Sequence, residues 1–264
     1  MLIPLAVMVL FSFWQKGPFG LDRTFSWSNW TRLVQGGIYL DLVAKSLRIA
    51  LITMLITLAL GFPLAYFLAQ QRSWRRGLTL LLVFMPFWTS YVARTFAWLP
   101  MLGRTGLVNY VLLKSGVIGQ PVTWLLYDEG AVYVGLIYVY LLFMTIPIYL
   151  ALDRIDPALI EAAHDLGAPP LATLCFVIWP LALPGVLGGC LMVFLLGFGA
   201  YVTPALLGGP SGIMLGNVIA DQFGAAYDWP FGASLAVTMV LVIFLLILLV
   251  RRWIPIQRVF LGTD

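Results

Sequence analysis

The sequence predicts an all-α integral membrane protein with six transmembrane helices. Three observations lead there. Of the 264 residues, 62% are hydrophobic and only 10% charged, and the mean hydropathy is +0.99. A soluble domain carries about 25% charged residues, so too few polar side chains are available here to cover a water-facing surface. Apolar runs also recur at a length of about 20 residues, which at 1.5 Å per residue crosses the hydrocarbon core.

The first expected span, residues 2–14, is short and has Pro4 near its start. No basic residue precedes it and no small-residue cleavage site follows, so it reads as a transmembrane helix rather than a signal peptide, one whose cytoplasmic beginning precedes the sequence. Residues 15–42 mix Asp22, Arg23, Phe25, Trp27, Trp30 and Arg32, which suits a segment lying at the interface. Residues 1–45 are therefore read as one part and residues 46–264 as a five-helix core.

Core spans are expected at 46–69, 77–99, 131–152, 177–199 and 232–250. Gly61 and Pro63 place a kink in the first of these, and Pro180 and Pro184 interrupt the fourth. Arg72, Arg75 and Arg76 crowd the short connection after the 46–69 span, and Arg251, Arg252 and Arg258 follow the last. Both groups fall on one side with Arg154, and the positive-inside rule makes that side cytoplasmic, with both termini inside. The net charge of +4 is scattered among apolar runs, so it gives no nucleic-acid stripe. Cys175 and Cys190 flank a proline-containing apolar run without metal-ligand spacing, and packing is their expected role.

Residues 153–175 form a polar insert between the fourth and fifth spans. Asp153, Asp156, Glu161 and Asp165 supply four of the chain's eleven carboxylates. Pro157 opens a helix, Leu159 to Ala163 favours one, and Gly167 with Pro169-Pro170 ends it. A short acidic helix tethered between two spans can carry force from a soluble partner into the bilayer. His164, the chain's single histidine, falls on this insert as a surface residue.

The insert resembles the signature loop of permease subunits of bacterial binding-protein-dependent ABC importers: Glu-Ala-Ala, three residues, Gly, nine residues, Ile, any residue, Leu-Pro. Glu161-Ala162-Ala163, Gly167 and Pro180 stand in register, while Val177 and Trp179 replace the Ile and Leu. Further stretches resemble the spermidine/putrescine-type subunits: Gly61 to Tyr66, Pro86 to Tyr91 with Arg94, Val202 to Gly209, Met214 to Ile219, and Trp229 to Ala233. One departure is Ala200, where such subunits often carry an acid.

The resemblance implies a type I ABC importer permease fold in an inner membrane, with 157–170 as the cytoplasmic coupling helix. Glu161, Ala162, Ala163, Asp165 and Gly167 would meet an ATPase subunit. The implied partners are an ATPase dimer that holds ATP and Mg, a second related permease and an extracytoplasmic binding protein. The implied solute is a polyamine, with other small amines, amino-acid derivatives or opines behind it.

For the pathway, Arg94 lies about 25 Å along its span from Gly77. It either lines an aqueous cavity, meets a neighbouring subunit, or snorkels to headgroups. Phe84, Trp88, Tyr91 and Trp98 share a helical stripe that serves either packing or cation–π contact. Tyr201 lies in one of the resembling stretches. Asp221 and Asp228, with Asp128, Glu129 and Asn217, are the outer polar candidates, either as cation contacts or as solvated loop residues.

No phosphate loop occurs, and none of the lysines (Lys16, Lys45, Lys114) follows a glycine, so ATP chemistry belongs to a separate chain. One histidine in the insert leaves no geometry for a catalytic Ser–His pair, and no catalytic or metal residue is assigned. The competing class, an ion-gradient-driven secondary transporter, wants mid-span carboxylates and an internal repeat, and spans two to six show neither.

Overall fold

The computed structural model describes residues 2–17, 20–71 and 73–253. Arg72 and Arg258, counted among the orientation-setting residues, lie outside them. Among the described residues four stretches are long and apolar enough to cross a membrane: α3 (Ile38–Ala69), α8 (Glu129–Leu152), Pro170–Phe198 and Trp229–Leu249. A helix pair, Trp74–Trp88 and Tyr91–Lys114, bent by 92°, makes a fifth if the two arms are counted as one span. α1 (Leu2–Ser12) is apolar but shorter.

Contacts divide the chain into two compact units. One takes its described residues from Met1–Ile49, Thr95–Gly135 and Phe198–Trp253, the other from Ala50–Arg94 and Leu136–Gly197.

In the first unit α1 packs along α14 (Trp229–Trp253). The expected interfacial segment is an antiparallel hairpin, β1 (Gln15–Gly17) with β2 (Gly20–Asp22), followed by α2 (Ser28–Gln35). α2 buries Asn29 and Leu33, four residues apart on one face. Asn29 Nδ2 donates to the carbonyls of Ser12 at 3.1 Å and Trp14 at 2.7 Å, satisfying acceptors that the end of α1 leaves open. α6 (Trp98–Leu102), α7 (Leu107–Lys114) and α12 (Val202–Leu207) surround a core of Leu102, Ala131 and Leu207. α13 (Leu215–Phe223) is fixed at its start, where Leu215 N–H donates to Ser46 Oγ at 2.8 Å.

The second unit is built around the C-terminal part of α8, from Leu136 onward. Between helices in lipid, close packing replaces the hydrophobic drive available in water, and small residues permit it. A Cβ at Gly61 of α3 would stand 3.0 Å from Met144 Cγ, and one at Gly189 of α11 (Trp179–Phe198) 2.9 Å from Met144 Sδ. Met144 is fully buried between these two approaches.

The continuous third span expected at 77–99 is not continuous. α4 (Ser73–Phe84) runs into a 3-10 turn at Met85–Trp88, Thr89 is extended (φ −92°, ψ 152°), and α5 (Tyr91–Phe96) starts afresh. Pro86 has no N–H for an α-helical ladder, and the Thr89 hydroxyl donates to its carbonyl at 2.7 Å. The linear 25 Å placement of Arg94 and the single aromatic stripe both fail at this bend. The fifth span also starts earlier than expected, at α10 (Pro170–Thr173). It continues through a π-helical turn, Leu174–Ile178, into α11. Cys175 is exposed and Cys190 half-buried, and both are free.

Candidate coupling site and polar clusters

The insert folds as its residues dictate. α9 (Pro157–Asp165) begins at Asp156, whose carboxylate accepts the Ala158 N–H at 2.9 Å, with Pro157 at the position where a missing N–H costs nothing. It ends in a Schellman motif: Ala168 N–H reaches the Ala163 carbonyl at 3.0 Å and Gly167 N–H reaches that of His164 at 2.8 Å. Gly167 sits at φ +79°, a left-handed position where a side chain is strained. The Gly of the signature spacing is therefore the residue that stops the helix.

α9 has two unlike faces. Ile160 and His164, one turn apart, line a cavity of about 460 Å³, with Tyr66, Gln70, Arg76 and Asp153 on other walls. Ala158, Leu159, Glu161, Ala162 and Asp165 are exposed, and Ala163 is half-buried. Leu166, 89% exposed, extends this outer surface. The outer face thus combines two carboxylates with apolar side chains left exposed among the described residues. Trp179, where the signature has Leu, packs its ring on Phe62 at 4.9 Å.

The pathway candidates fall into both units. In the second, Trp88 is 77% exposed on the 3-10 turn, and Tyr91 hydrogen-bonds with Tyr140. The Arg94 guanidinium lies 4.2 Å from the Phe87 ring centroid, with Nε and Nη1 buried.

In the first unit Tyr201 is half-exposed, and its carbonyl accepts Asn217 Nδ2 at 2.8 Å. Asn217 Oδ1 takes the Met214 N–H at 3.0 Å, so both ends of this buried amide fix α13. Asp228 pairs with Arg32 at 3.0 Å. Glu129 accepts two contacts from Arg48, at 2.6 and 2.8 Å, and the Tyr133 hydroxyl at 2.9 Å. Asp128 accepts Ser211 Oγ at 2.8 Å and the Gly130 N–H at 3.2 Å, which lower its pKa below the usual carboxylate value. Lys45, whose ammonium donates to the Ser211 carbonyl, adds a weaker electrostatic pull in the same direction. Asp221 is exposed at the end of α13, and no ion pair holds it among the described residues.

None of these pairs is legible in the sequence. Arg76, read from the sequence only as an orientation-setting charge, donates to the Tyr149 hydroxyl at 2.5 Å and forms an ion pair with Asp153. Among the described residues no group of three or more His, Cys, Asp or Glu side chains could hold a metal.

Residues 61–257 match the family described as binding-protein-dependent transport system inner membrane component. The chain belongs to that family. It is a transmembrane permease subunit of an ATP-driven importer, located in an inner membrane. The spermidine/putrescine transport system permease protein PotB of Escherichia coli (strain K12) is 40% identical over 232 residues, 88% of this chain and 84% of that one. PotB of Haemophilus influenzae is 36% identical over 85% of this chain and 78% of its own length. A crystal structure of a bacterial ABC transporter that imports the acidic polysaccharide alginate superposes with a TM-score of 0.79. It covers 96% of this chain and 88% of its own at 17% identity, a likeness of fold.

Proposed function

We propose that this permease forms half of a polyamine pathway and is driven through α9 by a separate ATPase. The observation that carries the coupling part is the two-faced helix. Its outer face presents Glu161 and Asp165 among exposed apolar side chains, and Asp156 and Gly167 define its two ends. Glu161, Ala162, Ala163, Asp165 and Gly167 form the contact, and ATP with Mg is held by the partner. A second related permease completes the pathway, and an extracytoplasmic binding protein delivers the solute. Six spans with both termini in the cytoplasm put α9 on the ATPase side, while residues 46–264 form the core.

Likeness to two proteins named for spermidine and putrescine transport over more than four-fifths of the chain supports the solute class. Asp221 is the outer carboxylate best able to receive an ammonium, because Asp228 and Glu129 are already paired with arginines. Tyr227 and Trp229, 72% and 46% exposed, supply aromatic faces nearby in sequence. Trp88, Tyr91, Arg94, Tyr201 and Asn217 shape the pathway, Asn217 by holding Tyr201 in place. Spans two to six offer no mid-span carboxylate for an ion-driven carrier.

The deciding experiment is co-purification and uptake. Tagged wild-type chain is expected to bring down an ATPase, and Glu161→Arg to lose it while still inserting. In proteoliposomes with the binding protein, spermidine uptake is expected to require ATP. Retention of the ATPase by Glu161→Arg, or uptake without ATP, would remove the coupling assignment. Uptake of a different amine in place of spermidine would remove only the solute.

A further inference from the structure

We propose that Arg76 is a positioning residue that ties the coupling insert to the bent span, so that movement of the insert becomes movement of α4. This rests on α9 being the ATPase contact.

Arg76 lies in the first turn of α4, the arm that leads into the 92° bend. Its guanidinium grips α8 at two successive turns of one face. Nε donates to the Tyr149 hydroxyl at 2.5 Å, and Nη2 pairs with Asp153, immediately past the end of α8 where the chain turns into the insert. The guanidinium also lies 5.1 Å from the Tyr149 ring centroid. Asp153 N–H still bonds the Tyr149 carbonyl at 2.9 Å, so both acceptors ride on one helical segment.

The underside of α9 reaches this region across the cavity of about 460 Å³, with Ile160 and His164 on one wall and Arg76 on another. A cavity transmits displacement poorly, because the atoms that line it lack partners on one side. A two-point side-chain clamp at the hinge of the insert transmits it well. Such a grip needs the planar fork of arginine: lysine presents one compact ammonium on a flexible stem.

Topology alone would want only a positive charge at residue 76, so Arg76→Lys separates the two roles. The complete importer, with its ATPase, second permease and binding protein, is reconstituted in proteoliposomes. Spermidine uptake and ATP hydrolysis are measured together. In Arg76→Lys the spermidine moved per ATP hydrolysed is expected to fall about fivefold, the scale of one partly exposed ion pair, with co-purifying ATPase unchanged. Tyr149→Phe, which removes one prong, is expected to lower the same ratio by a smaller factor.

An unchanged ratio in either variant overturns the proposal. So does a loss of uptake that only tracks loss of assembled complex, which would make the clamp a folding contact. Glu161→Arg run in parallel isolates the reading beneath it. If that variant keeps the ATPase, α9 is not the contact and the clamp proposal falls with that reading; if it loses the ATPase, an unchanged ratio in Arg76→Lys overturns the clamp alone.

Discussion

Arg32 is held by Asp228 at 3.0 Å, and the same carboxylate caps α14 by accepting the Phe231 N–H at 3.3 Å. Arg32 in turn lies 3.9 Å from the Phe231 ring centroid. One side chain thus joins α2 to the first turn of α14 and satisfies a donor that the helix start leaves open. Asp228→Ala removes both functions and is expected to destabilise the permease by about 1–2 kcal/mol, most of it the cap, since Arg32 is half-exposed and screened. Asp228→Asn keeps the cap and is expected to lose less than half of that. Thermal unfolding in detergent checks the order; equal losses would assign the effect to the ion pair.

Gly167 carries the other terminal device. At φ +79° an alanine costs about 1–2 kcal/mol, and the strain falls on the two carbonyl contacts that close α9. Gly167→Val is expected to leave insertion intact and reduce the ATPase that co-purifies. Gly167→Asn, which tolerates left-handed backbone, is expected to retain most of it. Quantifying ATPase against permease in the eluate decides, and equal retention by Val and Asn would show that the helix end does not matter for docking.

The difference between what the sequence made legible and what it hid is one of range. The start of α9 and its stop near Gly167 were readable because Pro157 and Gly167 act on neighbours within five positions, whereas the cap at Asp156 and the end at Asp165 were not. Pro63, Pro147 and Pro184 lie inside continuous helices, yet Pro86, alike in sequence, stands at a 92° break. What distinguishes Pro86 is the extended Thr89 that follows, whose hydroxyl takes the carbonyl a helix would have used. Asp128, Glu129 and Asp228 read as loop acids because their partners Ser211, Arg48 and Arg32 stand 83, 81 and 196 residues away. Pairing at that separation depends on how helices assemble, and no local pattern records it.

Asp128 makes the permease sensitive to acid in a defined direction. Ser211 and the Gly130 N–H bond its charged form and hold its pKa below the ordinary carboxylate value. A carboxyl depressed in the folded state contributes stability that is fully present above its unfolded pKa. That stability is lost as pH falls through the folded value. Ser211→Ala removes the largest cause of the shift and raises the folded pKa toward the unfolded one. The variant is therefore expected to unfold at a lower temperature than wild type at pH 7, with the gap closing as pH falls through the depressed folded value of the wild-type carboxyl, where both carboxyls are protonated. A gap that persists unchanged at low pH would locate the effect of Ser211 elsewhere.

The approach of α3 and α11 to Met144 allows a sharper test, because the two glycines meet different kinds of atom. A Cβ at Gly61 would press on Met144 Cγ at 3.0 Å and Thr145 Oγ1 at 3.3 Å, both side-chain atoms that can yield. A Cβ at Gly189 would meet Met144 Sδ at 2.9 Å but also its carbonyl oxygen at 3.0 Å, and a helical backbone cannot step aside. Overpacking of this kind costs about 1–3 kcal/mol, so Gly189→Ala is expected at the upper end and Gly61→Ala at the lower. Truncating Met144 to Ala removes the nearest obstacle at Gly61, where Met144 Cβ and Thr145 Oγ1 remain at 3.3 Å, and leaves the carbonyl at Gly189. In double-mutant cycles Met144→Ala is therefore expected to couple favourably with Gly61→Ala by about 1 kcal/mol and far more weakly with Gly189→Ala. Unfolding midpoints of the single and double variants supply both cycles. Equal coupling at the two sites would mean that the side chain of Met144, and not its backbone, limits how near α11 can come.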